Sequence, residues 1–378
     1  MILASRTGSD DPPLPRPVVP MIPLAKPAIS DEDIRAVERV LQSGLIATGA
    51  VVRQLEDRFA AYHGRKHAVA VNSGTVALCL AIGVSGFRKV ILPAITCPEV
   101  LNAVVHAGAE PLIADVDDGT HNLDPRWLRG DRFTGADAVV VTHAYGHPAQ
   151  MDAIGAACRE RSMALVEDFA QATGAAWKGE RCGSQGIIAA TSLYATKSLT
   201  TGHGGMILTD SDETARRLRI ARGDDAYDCL ETLVPLNLKM TDFQAALGLC
   251  QLERLEEFIR SRRERAALYR DLLAGIGGIT PLREQEGARS CYYKFVVMLE
   301  GIRKETFIAG MRERGVQVGV LYDPPLHRMK ITRERFGPQG SLPVSERIAQ
   351  QAVSLPMFSS MTEDDVRLVC RAAREVRG

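Results

Sequence analysis

The chain has 378 residues, of which 46% are hydrophobic and 24% charged, and its 46 basic side chains balance 46 acidic ones. This length usually holds two domains, and the balanced charge argues against a general nucleic-acid binder, which needs a basic excess. No apolar run reaches the roughly 18 residues that span a membrane, and the eight scattered cysteines form no CxxC pair.

The N-terminus is rich in proline and lacks the long apolar core of a signal peptide. Since proline removes backbone donors, we expect residues 1–20 to form a loose arm. Dispersed cysteines in a long chain are typical of reduced thiols, so we expect a cytoplasmic protein. The histidines show no HExxH or other metal-ligand spacing, so we expect no metal site.

Apolar runs that resemble strands alternate with helical patterns through the first two thirds of the chain. Most of these runs are short and apolar throughout, which is typical of strands buried on both faces of a parallel or mixed sheet. The alternation predicts an α/β domain, with a mostly parallel sheet between helices, over residues 21–253. The predicted strands are 67–72, 89–94, 111–116, 138–144, 164–169, 191–196 and 205–210.

A long helix follows, with apolar residues at three-and-four spacing from Leu252 to Leu273. Beyond it, strand patterns at 292–299 and 316–322 and helical patterns at 304–314 and 344–353 predict a smaller α+β domain. We place that C-terminal domain at residues 254–378.

The segment Asn72-Ser73-Gly74-Thr75 comes directly after a predicted strand and opens a helix. A helix N-terminus presents unpaired N–H groups and partial positive charge, which suit a phosphate. Glycine allows close approach of the backbone, and the hydroxyls add donors. An ordinary helix cap has the same pattern, so the segment alone does not decide between the two.

An acidic pair, Glu167 and Asp168, ends the predicted strand 164–169. Ligands of open α/β sheets bind at such carboxyl ends, and a carboxylate there can keep a pyridine nitrogen protonated.

Lys197 follows another apolar stretch and precedes the small-residue loop 200–205. A lysine that forms an imine must lose its proton, which a site of low dielectric favours. An isolated lysine would more simply be a solvated surface residue.

In this order and context, these segments resemble the DegT-type (DegT/StrS) sugar aminotransferases, which are fold type I pyridoxal-phosphate enzymes. The resemblance extends from about Ile22 to Val376. It includes the stretches 43–49, 144–148, 242–248 and 355–356, together with the Asn237 segment just before a predicted helix.

The resemblance implies pyridoxal 5'-phosphate as cofactor and assigns roles to matching positions. Lys197 would hold the cofactor as a Schiff base and move the substrate proton, and Asp168 would pair with the pyridinium nitrogen. Gln171 would contact the phenolic oxygen of the ring. Ser73, Gly74, Thr75 and Ser192 would bind the phosphate. Asn237 would reach the cofactor of the neighbouring subunit, so a homodimer is expected.

Three positions depart from the family pattern. Cys97 stands where an aromatic side chain usually stacks on the ring, so it would line the cofactor with a smaller surface. His203 stands where glutamate is frequent, and Lys239 where arginine is frequent. Tyr322 and His327 lie in a loop that often contacts the sugar in this family, although a structural role for the histidine is equally consistent with the sequence.

The resemblance implies transfer of an amino group from glutamate or glutamine to a keto-sugar nucleotide or keto-cyclitol. Two alternatives stay open. One is a pyridoxal-phosphate enzyme of the same fold that catalyses dehydration or elimination. The other is a cofactor-binding regulator without turnover, for which the sequence shows no DNA-binding module.

Overall fold

A computed structural model describes residues 21–224 and 235–377. The predicted loose arm, residues 1–20, lies outside the described residues. The described helices are α1 Asp31–Ser43, α2 Ala50–His63, α3 Gly74–Ser85, α4 Pro98–His106, α5 Met151–Glu160, α6 Asp212–Arg222, α7 Asp242–Glu253, α8 Leu255–Leu273, α9 Lys304–Glu313, α10 Lys330–Phe336, α11 Pro343–Gln351 and α12 Glu363–Arg377.

The described strands are β1 His67–Val71, β2 Lys89–Pro93, β3 Glu110–Ala114, β4 Ala138–Thr142, β5 Ala164–Asp168, β6 Ala176–Trp177, β7 Glu180–Arg181, β8 Ile188–Ser192, β9 Gly205–Thr209, β10 Ile279–Pro281, β11 Ala288–Arg289, β12 Phe295–Leu299, β13 Gly319–Val320 and β14 Ala352–Leu355. Among the described residues, no helix is both long and apolar enough to cross a membrane.

The central sheet has seven strands in the order β1-β9-β8-β5-β4-β2-β3. Strands β8, β5, β4, β2 and β3 are parallel, whereas β9 runs antiparallel to both β1 and β8. The predicted α/β class with a mostly parallel sheet is therefore confirmed.

Helices cover both faces of this sheet, and β4 shows why its sequence is apolar throughout. Val140 packs into the core beneath α3 and α4, while Val139 and Val141 pack into the opposite core beneath α5. Successive side chains of a strand point to opposite faces, so a strand covered on both sides needs apolar residues at every position.

A four-stranded antiparallel sheet, β10-β12-β14-β13, forms the second apolar layer, and α8, α9 and α12 pack around it. Tyr269 of α8 stacks on Phe295 of β12, with ring centroids 4.5 Å apart. The C-terminal residues thus form the α+β arrangement that their patterns predict.

Three predicted elements were wrong in their limits. The strand expected at 191–196 is β8, Ile188–Ser192, and Leu193–Lys197 leave the sheet as a loop. The strand expected at 316–322 is only the two residues of β13. The long helix is interrupted at Arg254, whose backbone (φ −99°, ψ 2°) separates α7 from α8.

Candidate active site

A cavity of about 450 Å³ opens at the carboxyl ends of β5 and β8. Of the residues predicted to bind the cofactor, all but Asn237 lie on its wall. Those on the wall are Ser73, Gly74, Thr75, Cys97, Asp168, Gln171, Ser192 and Lys197.

The start of α3 forms one end of the cavity. Ser73 is the N-cap, and its hydroxyl accepts a hydrogen bond from the Val76 N–H at 3.2 Å. A Cβ added to Gly74 would lie 2.5 Å from the Ser192 Cβ, so only glycine allows this helix start to lie against the end of β8. Gly74 and Thr75 of the first helical turn line this end of the cavity together with Ser73 and Ser192, and the first N–H groups of a helix have no acceptor within the helix.

The two carboxylates at the end of β5 have different environments. Glu167 is fully buried and accepts hydrogen bonds from the backbone N–H groups of Gly183, Gln185 and Gly186 and from His143. Burial opposes its ionisation, but these donors outweigh burial and hold the pKa of Glu167 below its usual range. Glu167 is therefore a structural anion.

Asp168 lies on the cavity wall instead. Its side chain accepts one hydrogen bond, from the Ala170 N–H at 2.9 Å. Burial raises the pKa of the Asp168 carboxyl, although the Ala170 N–H and the nearby Lys197 act against this rise. A carboxylate in this position would be stabilised by a cationic partner in the cavity.

The Gln171 amide is fixed in orientation by the protein. Its Oε1 accepts from the Tyr145 N–H at 3.0 Å, and its Nε2 donates to the Tyr322 hydroxyl at 2.7 Å. Tyr322 also stacks on Tyr145, with ring centroids 5.8 Å apart. Gln171 also lines the cavity, and its amide has a second N–H that neither of these bonds uses.

Lys197 lies in the loop that follows β8, where its backbone N–H donates to the Tyr194 carbonyl. The loop turns back at Thr201, whose N–H donates to the Leu193 carbonyl at 2.9 Å. The Lys197 Nζ lies 4.6 Å from the centroid of the Tyr293 ring. This aromatic face shields part of the amine from bulk water.

Tyr293 and Lys294 extend the positive environment around Lys197. The Lys294 Nζ lies 5.2 Å from the centroid of the same Tyr293 ring. Burial works against ionisation of Tyr293, but the charges of Lys197 and Lys294 outweigh it and lower the pKa of the phenol. No local sequence pattern identifies either residue, because both stand almost 100 positions from Lys197 and the paired tyrosines Tyr292-Tyr293 are the one signal nearby.

Cys97 caps α4 and faces the cavity. Its thiol donates a hydrogen bond to the Glu99 carboxylate. Burial, followed by the Glu99 carboxylate, raises the pKa of Cys97 to about 12. The residue is therefore a neutral thiol that offers a small, soft surface to whatever occupies the cavity.

Asn237 lines a separate cleft, together with Thr48, Arg53, Arg219 and Lys239. Lys239 lines the cleft, and its ammonium group is held there by a hydrogen bond to the Gly223 carbonyl at 2.7 Å. In a single chain, Asn237 does not line the Lys197 cavity. This placement is compatible with a contact to the site of a neighbouring subunit.

The remaining predicted positions divide between the cavity and the framework. His203 lies on the cavity wall, where its ring meets Tyr194 edge to face at 5.0 Å. His327 is buried and bonded to Glu346 at 3.0 Å, which favours the structural role.

The cavity fits pyridoxal phosphate at three points. The start of α3 lies against Ser192 and lines the cavity with Ser73, Gly74 and Thr75, and a helix start with nearby hydroxyls suits a phosphate. The single-donor carboxylate of Asp168 suits a cationic ring nitrogen, and the amine of Lys197 is available for a carbonyl carbon.

Comparison with known proteins agrees with this geometry. The model of the DegT/DnrJ/EryC1/StrS aminotransferase family matches residues 27–374. The chain is 34% identical to the spore coat polysaccharide biosynthesis protein SpsC of Bacillus subtilis strain 168, over 94% of this chain and 97% of that protein.

Two solved structures have the same fold. The aminotransferase TlmJ from Streptoalloteichus hindustanus has a TM-score of 0.87 and 32% identity, with 94% of this chain and 98% of that chain covered. DesI, crystallised in the presence of its TDP-sugar product, has a TM-score of 0.88 and 28% identity, with 96% and 94% covered.

Proposed function

The chain belongs to the DegT/DnrJ/EryC1/StrS aminotransferase family and is a pyridoxal-phosphate-dependent sugar aminotransferase; from that premise we propose its reaction. It transfers the amino group of L-glutamate or L-glutamine to the keto group of a nucleotide-linked sugar or a keto-cyclitol. The products are a 2-oxo acid and an amino sugar or amino-cyclitol for polysaccharide, amino-sugar or antibiotic biosynthesis. The observation that carries this proposal is the Lys197 amine in one cavity with Asp168 and the start of α3.

The relatives support a sugar as acceptor. SpsC takes part in spore coat polysaccharide biosynthesis, and DesI was crystallised with a TDP-sugar product. The cavity has a volume of about 450 Å³, and its wall carries Tyr194, His203 and Tyr293 in addition to Lys197.

The residues that would hold the cofactor follow from the wall of the cavity. Ser73, Gly74, Thr75 and Ser192 would bind its phosphate. Asp168 would pair with the ring nitrogen, Gln171 would donate its free amide N–H to the phenolic oxygen, and Cys97 would contact the ring face. Bound pyridoxal phosphate would supply an electron sink and a temporary carrier for the amine.

The chain itself contributes a base, charge and shielding. The Lys197 Nζ would carry the cofactor through a covalent bond. Once an amino acid has replaced it there, the same amine would accept the proton from the substrate carbon and donate it to the cofactor. Asp168 would keep the ring nitrogen protonated, because its charge at the end of β5 favours a cation. Tyr293 would exclude water from the Lys197 amine.

We further propose a homodimer in the cytoplasm. Asn237 lines its own cleft, so a role at the cofactor phosphate requires the site of the neighbouring subunit. Leu45 and Ile46 are exposed apolar residues directly before that cleft, which is typical of an interface. The free thiols of the described cysteines fit a reducing compartment.

The test is a stoichiometry measurement with L-glutamate, L-glutamine and a TDP-linked keto sugar. We expect one 2-oxo acid for every amino sugar formed, and no product from Lys197→Ala. Conversion of the sugar without consumption of the donor would overturn transamination in favour of dehydration or elimination. Bound cofactor with no conversion by any donor would favour a non-catalytic binder.

A further inference from the structure

Lys294 carries a half-buried ammonium group that the protein leaves unpaired. Its backbone N–H donates to the Tyr145 carbonyl at 3.1 Å, which anchors the residue just before β12. Within the described part of the chain, its Nζ has no hydrogen-bond acceptor and no ion-pair partner. Among the described residues, the Nζ makes one cation–π contact, with the Tyr293 ring, whose centroid is 5.2 Å away.

Lys304 shows how the fold pairs a lysine that it buries almost fully. The Lys304 Nζ is also shielded from water, but it bonds to the Asp323 carboxylate and to the Ala349 carbonyl at 2.7 Å. A buried charge is costly unless it is paired. The half-buried ammonium of Lys294 lacks such bonds, so it is available to an anion from outside the described chain.

The position of Lys294 places that partner beside the reacting centre. The Lys294 and Lys197 amines lie 5.2 and 4.6 Å from the centroid of one ring, that of Tyr293. Burial lowers the pKa of Lys294, and the charge of Lys197 lowers it further. An anion bound here would relieve the repulsion between the two amines.

The acidic groups of the cavity do not supply this anion. Glu99 accepts the Cys97 thiol, and Asp168 lies at the end of β5, where it accepts the Ala170 N–H. Neither forms an ion pair with Lys294. Because the residues at the start of α3 would hold the cofactor phosphate, the anion left for Lys294 in the proposed reaction is one carried by a substrate.

The two substrates of the proposed reaction differ in where they carry charge. In an α-amino acid, a carboxylate is attached directly to the carbon that loses its proton to Lys197. In a nucleotide-linked keto sugar, the sugar ring separates the diphosphate from the reacting carbon. We propose that Lys294 binds the α-carboxylate of the amino-acid donor and so selects an amino acid over a simple amine. This proposal rests on the proposed function and identifies the donor subsite within it.

The experiment compares the holoenzyme with its Lys294→Met and Lys294→Arg variants. Each protein is mixed with L-glutamate or with 4-aminobutyrate, which lacks the α-carboxylate, and the spectral change of the bound cofactor is followed. Loss of a charge-assisted hydrogen bond should lower the preference for L-glutamate about 10- to 100-fold in Lys294→Met. Lys294→Arg should recover most of it, and KM for the keto sugar should not change.

A second readout needs no turnover. Glutarate carries carboxylates but no amine, and calorimetry should show about tenfold weaker binding to Lys294→Met than to the unchanged protein. Equal glutarate binding and an unchanged donor preference would overturn the proposal, as would an effect confined to KM for the keto sugar. An unchanged protein that responds to neither glutamate nor glutamine would instead contradict the proposed function, while glutarate binding still decides the role of Lys294.

Discussion

Glu167 and Asp168 are adjacent carboxylates with opposite surroundings, and the geometry of β5 explains the difference. Successive side chains of a strand point to opposite sides. Glu167 meets the backbone donors of residues 183–186 and His143, whereas Asp168 faces the cavity. The sequence supports Asp168 as the cofactor partner only through the family resemblance, because the strand pattern alone does not say which face is open.

We predict that exchanging each carboxylate for its amide separates folding from function. Asp168→Asn should change the free energy of unfolding by no more than about 1 kcal/mol, because burial already disfavours the charge and the amide oxygen can still accept from the Ala170 N–H. It should lower kcat by about 100-fold or more, since an amide cannot stabilise the ring cation electrostatically. Glu167→Gln should lower the free energy of unfolding by about 1–3 kcal/mol, because its amide N–H groups would face backbone donors. Urea titration and steady-state kinetics measure both quantities, and the reverse pattern would contradict these assignments.

The pH dependence of stability has a definite sign at Glu167. The pKa of this carboxyl is lower in the folded chain than in the unfolded chain. Its contribution is therefore complete above the unfolded pKa of about 4.3 and is lost as the pH falls through the lower folded value. The stability difference between the original protein and Glu167→Gln should shrink in acid, and a difference that grows there would contradict this account.

Cys97 presents only a small thiol to the cavity, whereas a phenylalanine at this position would stack on the ring of the bound cofactor. We predict that Cys97→Phe tightens pyridoxal phosphate binding, by about 0.5–1.5 kcal/mol for an added aromatic contact. Fluorescence titration of the apoprotein gives the dissociation constant, with Cys97→Ala as the control for simple loss of the thiol. Weaker binding in Cys97→Phe would show that Cys97 does not lie against the ring.

At the scale of elements, the turn after β8 decides where Lys197 lies. Residues 191–196 are about as apolar as the observed strand β8, so hydrophobicity alone predicts a strand that begins three residues too late. Pairing between strands fixes where β8 ends, because Ser192 pairs with Gly205 at the end of the antiparallel β8–β9 ladder. The chain leaves the sheet at Leu193, and this exit brings Lys197 over the cavity.

The start of α3 gives a test of the phosphate cradle. Gly74→Ala would place its Cβ 2.5 Å from the Ser192 Cβ, so the helix start must move away from β8. We expect a loss of stability of about 1–3 kcal/mol, as for overpacking, together with weaker cofactor binding.

The matched control lies in the same helix. A Cβ at Gly83 would meet only the Ala107 Cβ, at 4.0 Å, so Gly83→Ala should stabilise the helix by up to about 1 kcal/mol and leave cofactor binding unchanged. Thermal melts with and without pyridoxal phosphate compare the two variants. Normal cofactor binding by Gly74→Ala would contradict the cradle.

At the scale of the whole molecule, the sequence predicts the α/β class, the positions along the chain of the seven strands of the central sheet, and most of the residues that line the cavity. Those features follow from local patterns and from a family resemblance. Tyr293 reaches the cavity wall, with Lys294 next to it in the chain, because the C-terminal layer packs beside the β8 loop, and no local sequence pattern reports such a contact. The division into domains at residues 253 and 254 stays a prediction.

The cleft of Asn237 gives a test of the proposed dimer. Lys197→Ala and Asn237→Ala are each expected to be impaired, since one lacks the amine and the other a phosphate contact. If Asn237 serves the neighbouring subunit, a hybrid dimer has one intact site, and an equal mixture should recover roughly a quarter of the original activity. Activity no higher than the average of the two separate variants would show that Asn237 acts within its own chain or not at all.

The central claim is that Lys197 binds pyridoxal phosphate and that an amino acid then converts it. The most direct measurement is the visible absorption spectrum of the protein with pyridoxal phosphate, before and after L-glutamate or L-glutamine, beside Lys197→Ala. We predict a lysine-bound cofactor band that one of the two donors converts to the pyridoxamine form, and no such band in the variant. A protein without this band, or a Lys197→Ala variant that keeps it and still responds to the donor, would contradict the account.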